Sequence, residues 1–476
     1  MDKLNSTINT FFTMSKVNKI SEVAILPSMA DGIIWPAIPS PATNAILSLA
    51  YQLEESQWWA PEVLTAFQLR QIENLLKHAW RSVPYYRQML EDVVKIPTGM
   101  LRMDEFRCIP LLRKSDLQAH RNELKSRGLP KIHLPLYETQ TSGSTGPPVK
   151  LIGTSVTELF HSALGIRWNA WHKRNLNSKR ANIRFPLDAE AQTAHTHQSW
   201  SRAYTSGPMV TIGVNQPIEK QVEWLLDENP HYLTTFPSNL DALLVHCANS
   251  GIRIPNLREV STRGESLSAH ARTLCEQVWG VPLNDLYGAI EFGHIAMQCP
   301  GTNHYHIQSE HLLVEILDDD GICVKPGCTG RVVITDLHNF AMPLVRYEVE
   351  DLAVLGSTCS CGRGLPVIEK ILGRTRSMFV LPTGDKYMPL YSDALFELKK
   401  VIPSIKQTKL IQRTRRDVTM RMVVSQALSE TEELKVTKEM AIALGGHFEI
   451  QLEYVDEISR AASGKFEEAI CEVAEN

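Results

Sequence analysis

The stretch "TQTSGSTGPPVK", Thr139–Lys150, gathers hydroxyl side chains, glycines and prolines ahead of one lysine. Small residues let a loop turn its backbone N–H groups inward. Hydroxyls and an ammonium add donors, so such a loop could cradle phosphate oxygens. The nucleotide P-loop needs four residues between its glycines, then Gly-Lys-Ser/Thr. Gly143 and Gly146 enclose only two, so that motif is absent. On composition alone, a surface turn explains the segment equally well. A second concentration is of thiols. Cys359 and Cys361 form a Cys-x-Cys pair, and Cys299 lies in "QCPGTNHYHIQ" beside His304 and His306. Three thiolates and one imidazole would close a tetrahedral structural zinc site; buried free thiols are the plain alternative. Cys323 and Cys328 are near in sequence but lack a paired histidine. His195 and His197 in "HTHQSW" read as pocket or surface residues. Trp58, Trp59, Trp168 and Trp171 read as packing.

Something must hold these groups in place. "VKLIGT" after the loop reads as a strand, so the loop joins two strands. Ser155 and Glu158 form a capping box that opens the helix "VTELFHSALGIRW". Upstream, "PEVLTAFQLRQIENLLKHAWRSV" reads as a helix with Leu64, Phe67, Ile72, Leu75, Leu76 and Ala79 on its apolar face, broken at Pro84. Between about residues 180 and 290, runs such as "HYLTTF" and "LREVSTRG" alternate with helical stretches, which predicts an α/β sheet. Near the C-terminus, "TKLIQRT" and "DVTMRMVVS" read as strands. Ser429 and Glu432 cap a helix, Gly445 and Gly446 stop it, and "HFEIQLEYV" returns as a strand. Such a unit can bury its own face as a second, mobile domain. Residues 1–50 read as an irregular extension.

Taken together, the motifs resemble those of the adenylate-forming superfamily, and more closely its phenylacetate–CoA ligase branch, over about residues 60–476. "TSGSTGPPVK" resembles the phosphate loop, which implies ATP contacts from Thr141, Ser142, Gly143, Ser144, Thr145, Gly146 and Lys150. "GESLS" resembles the segment bordering adenine, with Gly264 and Glu265. "DLYGAIEFGHIAMQC" resembles the motif with an adenine-stacking ring and a magnesium-holding glutamate, here Tyr287, Gly288 and Glu291. "VRYEVEDLAVL" implies that Asp351 grips the ribose, and "ILGRTRSMFVL" puts Arg374 beside it. "RAASGKFEEAI" implies that Lys465 contacts the reacting carboxylate, so Lys465 and Glu291 are the catalytic pair. "TFPSNLDALL" resembles the acyl-pocket segment, with Phe236 and Pro237. Metal-binding cysteines in some members favour His306 over His304 as partner to Cys299, Cys359 and Cys361. Three positions depart from the pattern: Ile290 for a small hydroxyl residue, Glu350 for a glycine, and Ser377 for an aspartate at the hinge.

The implied fold is α/β: a large multi-sheet adenylation domain over residues 51–373, a hinge at 374–377, and a small mobile α+β lobe at 378–476. The implied activity is ATP-dependent acyl-adenylate formation with pyrophosphate release, then transfer to a thiol, foremost coenzyme A. Alternatives are transfer to an amine, adenylyl transfer without a thioester, and a nucleotide-binding regulator that has lost catalysis. The cofactors and co-substrates are ATP/AMP, Mg2+, structural Zn2+ and coenzyme A; the remaining partner is a small carboxylic acid, with a homodimer compatible. The net charge of −4 among 476 residues offers no basic excess for nucleic acid. No apolar run of about 18 residues and no export signal are evident, so a cytoplasmic protein without membrane contact is expected.

Overall fold

The computed structural model describes residues 24–93, 101–140, 149–185, 195–389, 391–460 and 465–473. Its main feature is a sheet of 12 strands. One half is parallel: Met209–Gly213, Arg180–Arg184, Tyr232–Thr235, Glu259–Arg263 and Leu283–Ala289 lie side by side, with His195–His197 antiparallel at the edge. The other half is antiparallel, running through Gly293–Gln298, Tyr305–Ile307, Val367–Arg374, Tyr347–Leu355, Thr329–Asp336 and Leu312–Leu317. "HYLTTF" and "LREVSTRG" thus form neighbouring parallel strands, and the second buries polar Glu259, Ser261 and Thr262 as well as Val260.

Each half has its own core. The helices Ile218–Glu228, Pro237–Ser250 and Ala269–Trp279 bury Leu225, Leu240, Leu243, Leu244 and Leu274 against the parallel strands. The helix Pro61–Ser82 packs Ile72, Leu75, Leu76 and Ala79 against the antiparallel half. Phe67 of that helix is exposed, contrary to its placement on the apolar face, and rests on Trp59 instead. Pro84 starts the next helix, where its missing N–H costs nothing. The helix Pro41–Ser56 begins inside the segment read as irregular and buries Ala50 and Leu53 against Trp168 and Leu164. Trp168 and Trp171 are core residues, whereas Trp58 and Trp59 are partly exposed. Among the described residues, no helix is long and apolar enough to cross a membrane.

After Arg374, a short 3-10 turn over Thr375–Ser377 leads into a smaller α+β region. Its sheet holds Glu449–Tyr454, Asp417–Val424, Ile405–Gln412 and Ala469–Cys471. The last strand is too short to carry a periodic signal and was not expected. The helix Glu430–Ala443 starts at the Ser429–Glu432 capping box and ends before Gly445 and Gly446, both at positive φ. Met420, Met422, Val436 and Met440 form a core distinct from the larger ones.

Candidate functional site

The Thr139–Lys150 segment spans an antiparallel hairpin, Leu136–Gln140 with Lys150–Thr154. Thr141, Ser142, Gly143, Ser144, Thr145 and Gly146 lie outside the described residues. Lys150 opens the return strand, half-exposed and 3.7 Å from Glu138. The following helix, Ser155–Trp171, is capped one residue earlier than expected: Thr154 accepts from Thr157 N–H, and Thr157 completes the box. A shorter loop brings Thr154, not Ser155, to the first open turn.

The hairpin borders a cavity of about 170 Å³ lined in part by Tyr137, His161, Ile290, Glu291 and Asp336. Glu291 sits just beyond the strand Leu283–Ala289. Burial raises its carboxyl above the usual range, while Arg374 and Lys465 draw it down. Tyr287 and Gly288 occupy a bulge in that strand. A Cβ on Gly288 would lie 2.5 Å from the Gly293 carbonyl oxygen, so only glycine permits this approach. The Tyr287 hydroxyl donates to Asp351 at 2.7 Å. Asp351 and Arg374 are directly cross-strand, with Nε 3.8 Å from the carboxylate. Glu350, where the resembled motif has glycine, adopts φ +63°, so its side chain holds a backbone conformation that glycine would take at lower energy. Thr375 of the 3-10 turn donates to the Glu350 carbonyl at 3.3 Å.

Lys465 reaches this group from the smaller region. Gly264 has φ +88°, and a Cβ there would lie 3.4 Å from the Phe236 ring and 3.5 Å from Lys465 Cε. Lys465 is held below the usual lysine range by burial and by Arg374, against the pull of Asp351, Glu291 and Glu265. Glu265 has a specific task in this arrangement. Its carboxylate accepts from Ser238 N–H at 3.0 Å and Phe466 N–H at 2.6 Å, with Arg460 3.5 Å away. It therefore ties the chain segment carrying Lys465 to the larger region. Pro237 is buried at the start of its helix and Phe236 faces Gly264.

Two arginines escaped sequence reading. Arg184 and Arg263 end parallel strands, each four residues after the in-register Arg180 and Glu259, so they share one sheet face. Each is the last strand residue, at the carboxyl edge where α/β sheets bind ligands. Arg263 feels Arg184 as a like charge. Among the described residues neither has a carboxylate partner, whereas Arg174 on the same face pairs with Glu259. The signal was the arginine directly before "GESLS".

The thiol cluster assembles. Cys299, His306, Cys359 and Cys361 place their donor atoms within 4.8 Å of one another, and all but Cys361 are buried. The sulfurs of Cys299 and Cys359 are 3.7 Å apart, and Cys361 Sγ is 3.3 Å from His306 Nε2. Zinc–sulfur bonds of about 2.3 Å at tetrahedral angles give an edge of about 3.8 Å, so the donor set fits Zn2+. His306 Nδ1 donates to the Leu365 carbonyl at 3.2 Å, which leaves Nε2 free for a metal. His304 contacts Cys359 at 2.9 Å from the rim. Cys323 and Cys328 stand apart. His197 is exposed on an edge strand with His195.

Residues 391–472 match the family model described as CapK C-terminal domain. The chain is 25% identical over 365 residues to the phenylacetate-coenzyme A ligase of Thermus thermophilus, covering 72% of this chain and 77% of that one. It is 24% identical over 361 residues to the enzyme of that name from Pseudomonas putida, covering 71% and 77%. Among solved structures it is similar to 2-hydroxyisobutyryl-CoA ligase in the postadenylation state, with TM-score 0.67 and 17% identity over 86% of this chain and 89% of that one. Against an open conformation of that enzyme with coenzyme A the TM-score is 0.54, and against its thioesterification state 0.56. These relatives match the superfamily and the branch that the motifs resemble.

Proposed function

We propose that this chain, a relative of the phenylacetate–CoA ligases within the adenylate-forming superfamily, activates a carboxylic acid with ATP and passes the acyl group to coenzyme A. The observation that carries the reading is the convergence of Lys465, Glu291, Asp351, Tyr287 and Arg374 from four separate chain segments, with Gly264 beside Lys465. In the first half-reaction a carboxylate oxygen attacks the α-phosphorus, the bond to pyrophosphate breaks, and the acyl-adenylate forms. Two anions must meet, so an oriented ammonium stabilises the transition state more than the separated reactants. Lys465 holds that position, Tyr287 and Gly264 border the adenine, and Asp351 with Arg374 hold the ribose. Glu291 is the carboxylate that would hold Mg2+, which shields the phosphate charge. In the second half-reaction the thiolate attacks the acyl carbon and AMP leaves. The smaller region, from about residue 378, rotates about residues 374–377 between the two.

Arg184 and Arg263, without carboxylate partners among the described residues, favour acids that carry a second anionic group. Acid-dependent pyrophosphate exchange over matched pairs, such as succinate with butyrate and isophthalate with benzoate, tests both statements. Exchange should be at least about 10-fold faster for the dianion of each pair, since one charge-assisted contact is worth about 1.5–3 kcal/mol. Exchange with monoanions alone removes the second statement; no exchange with any acid removes the first. Mass analysis after adding coenzyme A or amines then separates thioester from amide.

Docking of the smaller region should depend on pH. Asp241 on the helix Pro237–Ser250 faces Glu468 and Lys399 of that region, with Glu265 nearby. Burial and Glu468 push its carboxyl up to about 7, against Lys399. Glu468 is raised in the same way, by burial and Glu265, against Lys399 and Arg460. Both carboxyls hold protons more tightly docked than exposed, so docking is favoured at low pH and loses this contribution as pH rises from about 4 through 7. Lys399, held low by burial, acts oppositely, but only toward its alkaline range. Distance measurements between labels on the two regions should show a larger undocked fraction at pH 8 than at pH 5.5, with Asp241→Asn flattening the profile. A pH-independent distribution would remove the coupling.

A further inference from the structure

A second cluster of donor atoms lies away from the thiols and from Lys465. His311 precedes the strand Leu312–Leu317. Asp336 ends the strand Thr329–Asp336, directly opposite Leu312, and His338 follows two residues on. One donor atom from each of the three lies within 4.8 Å of the others. The His311 imidazole is oriented from behind: its Nε2 donates to the Phe292 carbonyl at 3.2 Å, which fixes the tautomer and leaves Nδ1 as a bare acceptor. Among the described residues, the buried Nδ1 atoms of His311 and His338 have no hydrogen-bond partner. Asp336 is locked too, its Oδ1 accepting from His338 N–H at 2.9 Å and Asn339 N–H at 3.1 Å.

An unsatisfied buried acceptor is costly, and here each of two clustered rings carries one beside a buried carboxylate. His311 is 0% and Asp336 2% exposed, so bulk water does not relieve them. Phe160 covers one side, stacked on His338 at 4.0 Å and on His311 at 5.1 Å. Asp336, with His161, also lines the 170 Å³ cavity. We propose that His311, Asp336 and His338 form a binding site for one first-row divalent transition-metal ion of the zinc class. Two neutral imidazoles and one carboxylate are borderline donors suited to such ions rather than to calcium. Three protein ligands leave a position open toward the cavity. Bonds of about 2.0–2.1 Å at tetrahedral angles need donors about 3.4 Å apart, so the side chains close by about 1 Å on the ion.

The test uses the full chain, stripped with chelator and titrated with Co2+. The Cys359→Ser/Cys361→Ser variant removes the thiolate site, so what remains is read alone. It should bind one equivalent of Co2+ with visible d–d bands but without the near-ultraviolet thiolate charge-transfer band. Asp336→Asn and His338→Gln, added separately to that background, keep shape and should each weaken Co2+ binding at least 10-fold, with circular dichroism confirming the fold. Two variants guard against one failing to fold. No Co2+ retained beyond the thiolate site, as when a water fills the space, overturns the proposal. So does affinity unchanged in both variants.

Discussion

Lys465→Ala is expected to slow acid-dependent pyrophosphate exchange by about two to three orders of magnitude, the loss seen when one oriented transition-state donor is removed. The ammonium is well placed for a differential effect. It sits among Glu291, Asp351, Arg374 and Glu265, largely withdrawn from water, where charge interactions are stronger than at the surface. ATP affinity should change little, because the proposed adenine and ribose contacts come from Tyr287, Asp351 and Arg374. Transfer of a supplied acyl-adenylate to coenzyme A should survive, since the rotation proposed above carries Lys465 away before that step. Glu265→Gln gives an informative companion. It retains the side chain's shape but weakens the acceptor that holds Phe466 N–H, so the lysine remains while its position loosens. A smaller loss of exchange, again with transfer intact, is the expected result. Near-normal exchange in Lys465→Ala would sink the catalytic assignment. Loss of both half-reactions would point instead to misfolding or to a smaller region that does not rotate.

How much of this was legible from sequence differs by element. The parallel strands could be read because short β-prone runs alternate with helical stretches, as in Tyr232–Thr235 before the helix Pro237–Ser250. The Ser429–Glu432 cap could be read because its hydrogen bonds are local. The strand Ala469–Cys471 could not, since three residues show no period and its parallel pairing with Leu410–Gln412 is wholly non-local. The same division holds for the site. Asp351 and Arg374 sit in recognisable motifs, but their cross-strand register needs the folded sheet. Glu265 carried a nucleotide expectation from its motif, yet its carboxylate is engaged by Phe466 and Arg460, nearly two hundred residues on. His311, Asp336 and His338 bore no motif spacing at all. Pairing of Leu312 with Asp336 brings them together, and only the bare Nδ1 atoms mark them out.

Cys361→Ser is expected to remove zinc from the protein and to lower its stability by several kcal/mol, with little change in acid preference. Metal binding that exists only in the folded state adds its free energy to folding. The site joins distant parts of the antiparallel half. Cys299 directly follows the strand Gly293–Gln298, His306 lies in the adjacent strand Tyr305–Ile307, and Cys359 with Cys361 sits in the turn before Val367–Arg374. That last strand delivers Arg374, so the zinc would brace the turn at one end of a strand whose other end reaches the ribose position. The cluster is walled by Val367 and lies under Trp171, whose ring is 5.8 Å from His306. With all four positions filled by protein donors, a bound zinc would be structural. Elemental analysis of protein purified without chelator should give about one zinc per chain at this site, and the variant should lose it together with an earlier thermal transition. Metal-free wild-type protein of unchanged stability would identify the four residues as a packed set of thiols. Changed acid preference in the variant, at unchanged stability, would move the site from bracing the strand to lining the pocket.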